Sequence, residues 1–172
     1  MFKAIDLMVN AGPLKNAWER LIRQIQTEVE HKRVTNDTVS DMVKGEIVYM
    51  TAGNRQAALA IATAAASSRW AAVMAEPTAA GEQGISRTDG YALVKFEDNL
   101  DNVVGNEGLG VVLSETTAGT ATMNWPVVAG SYTVRIGILA DATQYDGVPA
   151  SDTYNPYAWV ILGHRCFPAE GA

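Results

Sequence analysis

Group-transfer or hydrolytic chemistry at neutral pH usually needs a side chain that titrates there, and histidine is the ordinary choice. The chain carries 2 histidines and 1 cysteine, so the candidates are few. His164 and Cys166 stand two residues apart, a spacing that on a strand puts imidazole and thiol on one face, where the imidazole would lower the thiol pKa. No third group that would orient the pair is recognisable. The plainer reading is a terminal strand leading into a polar tail with an unreactive cysteine. His31 falls at the charged end of an expected helix, where a cation complements the helix dipole, and reads as structural or solvated. No serine lies in a Gly-x-Ser-x-Gly elbow, no phosphate loop with its Lys-Ser/Thr ending is present, and no Gly-x-Gly-x-x-Gly opens a helix. Three large enzyme classes lose support. The expectation is a protein that is not an enzyme, with no catalytic residue and no cofactor.

Two further clusters could bind something. Glu97, Asp98, Asn99, Leu100, Asp101 and Asn102 crowd three carboxylates and two amides together, and the alternation Glu97, Asn99, Asp101 imitates the first ligands of a calcium loop. Asn102 stands where the turn glycine belongs, however, and Gly108 where a bidentate acid is required. A solvated acidic turn is the better account, and no metal site is expected. Tyr145, Tyr154, Tyr157 and Trp159 gather among Gly147, Pro149 and Pro156. They suit a peripheral contact loop, for protein somewhat ahead of carbohydrate, or a loop folded over the end of a barrel.

Elements must position these groups. Of 172 residues, 48% are hydrophobic and 19% charged, which supports a folded, soluble globular chain, and no apolar run approaches the roughly 20 residues of a membrane span. The lone cysteine implies no oxidising compartment, and no export signal is evident, so synthesis inside a cell is the default. The net charge of -6 is uneven: residues 1–44 hold 7 basic and 6 acidic side chains, and the remaining residues 6 basic and 13 acidic. The acidic body should repel nucleic-acid phosphates.

Three regions follow. Residues 1–12 form an expected N-terminal arm in which Phe2, Ile5, Leu7, Met8 and Val9 are apolar without clear periodicity; they suit either an arm added to a partner or a strand of their own domain. Residues 13–37 comprise an amphipathic helix and its connector. Leu14, Trp18, Leu21, Ile25 and Val29 recur at steps of three and four up to Arg33, behind Pro13 at the first helical position. Leu14, Trp18, Leu21 and Ile25 could serve self-association as a short seam, although packing on their own domain is preferred. Residues 38–172 read as the β-barrel domain. Six strands are expected at 46–50, 70–74, 91–96, 109–113, 133–139 and 158–162, while the alanine-rich stretch 56–68 fits a short helix or a strand and loop equally.

The halves of this domain resemble one another. Gly45-Glu46-Ile47-Val48-Tyr49-Met50-Thr51, then Ala52-Gly53, precedes Trp70-Ala71-Ala72-Val73-Met74-Ala75; Gly108-Leu109-Gly110-Val111-Val112-Leu113-Ser114, then Ala118-Gly119, precedes Arg135-Ile136-Gly137-Ile138-Leu139-Ala140. The offsets, 63 residues from Gly45 to Gly108 and 65 from Ala72 to Gly137, nearly agree. The expected fold is mostly β with an N-terminal α-helix: a small antiparallel β-barrel or sandwich with a pseudo-twofold repeat. Small residues inside strands, such as Ala72 and Gly137, point to tight interiors or close backbone approach.

These motifs, together with Ala80-Gly81-Glu82-Gln83-Gly84, Gly90-Tyr91-Ala92 and Ala118-Gly119-Thr120, resemble a small β module of tailed-bacteriophage virions found in capsid decoration (cement) proteins and some head fibres. The resemblance spans about residues 40–163 and leaves out the N-terminal helix. It implies a non-enzymatic structural role on the capsid exterior of a virion assembled from protein made in the host cytoplasm. There the protein would stabilise the expanded shell by bridging copies of the major capsid protein, commonly as a trimer. Neither nucleic acid nor membrane is an expected partner. A head-fibre or adhesin-like module binding host-surface glycans is the alternative.

Overall fold

The computed structural model describes residues 31–51, 55–97, 103–148, 152, 154–163 and 169–170. The arm (Phe2, Ile5, Leu7, Met8, Val9) and the self-association residues (Leu14, Trp18, Leu21, Ile25) lie outside them. All regular structure among the described residues is β. The strands are β1 (His31–Asn36), β2 (Ile47–Met50), β3 (Gln56–Leu59), β4 (Trp70–Met74), β5 (Gln83–Arg87), β6 (Gly90–Lys95), β7 (Gly110–Leu113), β8 (Ala121–Thr122), β9 (Tyr132–Thr133), β10 (Arg135–Asp141), β11 (Tyr157–Leu162) and β12 (Ala169–Glu170). Each of the six expected strands is present within a residue or two of its expected bounds. The alanine-rich stretch resolves as β3 followed by turns.

The helix expected to run to Arg33 is corrected at its end. His31, Lys32 and Arg33 are strand, paired with Arg87, Ser86 and Ile85, so the barrel begins before the expected boundary at residue 38. Val34 explains why: its side chain is buried in the barrel interior with Val48, Ala57, Ala72 and Met74, and Met42 packs with them. Burial against side chains of three other strands outweighs the local helical periodicity.

β1-β3-β2-β4-β5 close into a barrel. Its pairings are antiparallel except β1 with β3, which run parallel through Thr35↔Gln56 and Asn36↔Ala57; the fully antiparallel expectation is corrected there. With so few strands the lumen is narrow, and Ala57 and Ala72 leave room in it for Val34, Val48 and Met74. The second sheet has the order β6-β11-β10-β7-β8, with a single parallel bridge, Phe96↔Ala121, joining its two ends.

The two sheets share one wiring diagram. In the first, Ile47 faces Val73 and Val48 faces Ala72; Ala71 is then skipped and Tyr49 faces Trp70. In the second, Gly110 faces Ile138 and Val111 faces Gly137; Ile136 is skipped and Val112 faces Arg135. The bulge falls at the same place in both. The next pairs match as well: Val73↔Arg87 and Met74↔Ser86 in one sheet, Ile138↔Ile161 and Leu139↔Val160 in the other. Each β2-type strand is entered through a positive-φ glycine, Gly45 at 88° and Gly108 at 92°, a region L side chains rarely occupy. Gly45 N–H donates to Met74 O, and Gly108 N–H to Leu139 O, both at 2.8 Å.

Between the units runs a seam of backbone hydrogen bonds. Gly119 N–H donates to Ala60 O at 2.7 Å, and its carbonyl accepts from Ile47 N–H at 2.9 Å. Lys95 N–H donates to Gly45 O (2.9 Å), Ala62 N–H to Ser114 O (2.9 Å) and Tyr132 N–H to Ala62 O (2.8 Å). Lys95 Nζ reaches the buried Glu46 carboxylate at 3.1 Å. Ile47, Ala60, Ala62 and Val73 of the first unit belong to the same core as Val94, Phe96, Leu113 and Ile136 of the second. The faces in contact differ. By the register, Ala60 corresponds to Asn124 and Gly119 to Arg55, yet Asn124 and Arg55 are exposed. A twofold axis would have brought those two together as well. The expected pseudo-twofold relation is therefore corrected to a head-to-tail one.

Two predictions follow from this packing. A Cβ on Gly137 would lie 2.1 Å from Ile161 O, so Gly137→Ala should lower unfolding stability by about 3 kcal/mol. Gly163→Ala, which meets nothing within 4 Å, should change it by less than about 0.5 kcal/mol; urea titration compares the two. Lys95→Ala leaves the buried Glu46 carboxylate without its cation and should cost about 2 kcal/mol, with Lys95→Ala/Glu46→Gln recovering part of the loss in a double-mutant cycle.

Candidate functional site

The segment between β8 and β9 carries Trp125, Val127 and Val128, which are 64%, 88% and 55% exposed. Three large apolar side chains in four positions would normally turn inward. Here Pro126 removes a backbone donor and Gly130 supplies a positive-φ turn (88°), so the run cannot continue as a paired central strand.

Glu115 holds the segment in place. Its two carboxylate oxygens accept from Val127 N–H at 3.0 Å and Val128 N–H at 3.1 Å. The Val127 bond is the largest cause of a carboxyl pKa below the ordinary 4.5; burial, next in size, opposes it, and the Val128 bond lowers it further. Beside it, Thr116 Oγ1 donates to Glu97 Oε2 at 2.7 Å, and Ser114 Oγ accepts from Thr116 N–H and Thr117 N–H. An open depression of about 620 Å³ lies between these elements, lined by Glu97, Glu115, Thr116, Asn124, Trp125 and Val127 among others. The site combines a fixed apolar tip with an acidic, hydroxyl-bearing floor. Its carboxylates are engaged as hydrogen-bond acceptors, an arrangement that suits adhesion.

The expected aromatic contact loop does not assemble. Tyr145 is 6% exposed, stands edge-on to Phe96 with ring centroids 5.9 Å apart, and donates its hydroxyl to Glu97 O at 3.0 Å. It is a core residue whose polar tip anchors the chain at Glu97. Tyr154 is half-buried. Tyr157 and Trp159 alternate along β11 and face the seam: the Tyr157 ring covers Gly45, where a Cβ would come within 2.9 Å of it, and Trp159 lines a cavity of about 70 Å³ with Lys44, Val73 and Leu93. A strand's alternation thus gave these aromatics to packing between the units.

His31 lies on β1, whereas His164 and Cys166 are outside the described residues, as are the acidic residues Asp98 and Asp101. Among the described residues, no three His, Cys, Asp or Glu side chains gather in a way that could hold a metal ion. No helix among them is long and apolar enough to cross a membrane. The Trp125 segment was not apparent from sequence, because Met123 to Val128 reads as one more apolar run; Pro126 inside it was the signal against a paired strand. No protein-family model matches the chain, and neither a curated protein nor a solved structure is detectably similar to it.

The Glu115 clamp carries its own prediction. Since the folded-state pKa is depressed, its contribution is complete above about 4.5, the ordinary value, and is lost as pH falls through the lowered folded value. The Val127 and Val128 amide resonances should shift together with that titration in two-dimensional NMR. In Glu115→Gln the same two amides should exchange faster with solvent and show no such titration.

Proposed function

We propose that the chain is a structural virion protein of the capsid decoration class, bound to the outer surface of an expanded phage shell and bridging copies of the major capsid protein. The observation that carries this reading is the exposed apolar tip Trp125, Val127 and Val128, with the Val127 and Val128 backbone bonded to Glu115, on two β units joined by backbone hydrogen bonds. A backbone already bonded to Glu115 gives up less loop entropy on binding. The motif resemblance supplies the partner class. Its trimeric expectation and the apolar arm Phe2, Ile5, Leu7, Met8 and Val9 belong to the same proposal, with the arm as a second attachment point.

Co-sedimentation with phage heads tests it. The protein should pellet with expanded shells and stay in the supernatant with unexpanded ones, at a fixed ratio to the major capsid subunit. Trp125→Ala should weaken that binding about tenfold, and removal of residues 1–10 should weaken it further. Equal pelleting with and without expansion, or an affinity untouched by both changes, would count against the reading.

One observation favours the alternative, a head-fibre or adhesin-like glycan binder. An exposed indole beside carboxylate, hydroxyl and amide groups in an open depression is the chemistry that stacks on a sugar ring and hydrogen-bonds its hydroxyls. A glycan array separates the readings: signal abolished by Trp125→Ala supports the alternative, and background binding removes it.

A further inference from the structure

A row of side chains crosses the second unit in direct register: Gly110 faces Ile138, Ile138 faces Ile161, and Ile161 faces Tyr91. Leu109 adjoins its end. Leu109, Ile138, Ile161 and Tyr91 are 54%, 37%, 40% and 56% exposed, an apolar strip interrupted at Gly110, where the Arg135 guanidinium lies about 3.4 Å from the position a Cβ would take. The shared wiring identifies its counterpart in the first unit as Ile47, Val73, Arg87 and His31, also in register. There Ile47 and Val73 are fully buried, because the second unit lies over them.

We propose that the exposed strip of the second unit receives the first unit of another copy of this chain, in the head-to-tail arrangement that the seam already uses within one molecule. A heterologous contact leaves one face unused at each end of the chain; of the seam's backbone bonds, the one from Lys95 N–H has no free equivalent, because Thr35 N–H already donates to Arg55 O at 2.8 Å, so the fit rests on the side chains. The receiving positions of the seam, Ala92, Leu93, Gly119 and Tyr157, correspond to Lys32, Arg33, Arg55 and Gln83 on the first unit, and all four of these are exposed.

Substitutions at corresponding positions agree on both sides. Glu46 and Lys95 form the ion pair of the seam; their counterparts are Leu109 and Thr35, so both charges are gone together and neither face would bury a lone one. Lys44 lies by Ala92 and Leu93 around the seam cavity; its counterpart Glu107 would meet Lys32 and Arg33, an acid opposite two bases. Gly45, which admits the Tyr157 ring, corresponds to Gly108, still a glycine. Arg55 keeps the positive φ of Gly119, at 60°, although it bears a side chain.

The contact needs no capsid, so its test is independent of the virion reading. Sedimentation velocity on the full chain alone should show reversible self-association at high micromolar concentration. Glu107→Arg and Arg33→Glu, both on exposed side chains, should each raise the apparent Kd about tenfold, whereas mixing the two variants, or combining both changes in one chain, should restore it. Matching thermal melts establish that each variant is folded. A chain that stays monomeric throughout overturns the proposal. So does association that Leu109→Asp abolishes while both charge reversals leave it unchanged, because that result describes a symmetric strip-on-strip dimer or a strip covered by residues 1–30.

Discussion

The peptide group of Gly119 is the hinge on which the architecture turns. Its N–H goes to Ala60 and its carbonyl accepts from Ile47, so one residue of the second unit satisfies two backbone groups of the first. Neither unit alone could bury Ile47, Ala60, Ala62 and Val73, because those side chains point away from the lumen of the first barrel. Burying them requires the second unit, and burying the adjacent polar backbone requires partners with the right geometry. The left-handed turn at Gly119 (φ 79°) aims both groups across the seam.

This arrangement determines what remains outside. Once β11 is committed to the seam, Tyr157 and Trp159 are occupied by packing, and Tyr145 is absorbed by the core beside Phe96. Among the described residues, seven of the twelve exposed large apolar side chains fall in two places. One is the Trp125 segment, which Glu115 pins by its backbone. The other is the strip from Leu109 to Tyr91. Their origins differ: the first follows from Pro126 and a carboxylate clamp, the second from a repeated unit that lacks a following copy to cover it.

Several elements were legible because strands of this kind declare themselves through β-branched runs between glycines. The six strong strands and the resemblance of the halves came from such runs, and the near-equal offsets of Gly45 to Gly108 and Ala72 to Gly137 reflect a common register down to the bulges at Ala71 and Ile136. β1 and β5 were not legible. His31–Asn36 continues a helical pattern in its first half, and Gln83–Arg87 is largely polar and carries Gly84, whose missing Cβ makes room for Thr78. They pair with each other across about fifty residues, an influence no local window contains.

Local chemistry alone determined the β class, the repeated strand-and-turn pattern, the acidic balance and the lack of recognisable catalytic motifs, since each depends on residue type and short spacing. Tertiary structure decided which aromatic residues are surface, which face of each unit is covered, and that the two units meet head to tail. Those outcomes depend on contacts between residues far apart in the chain, such as Gly119 with Ala60 and Lys95 with Glu46, which no short stretch of sequence contains.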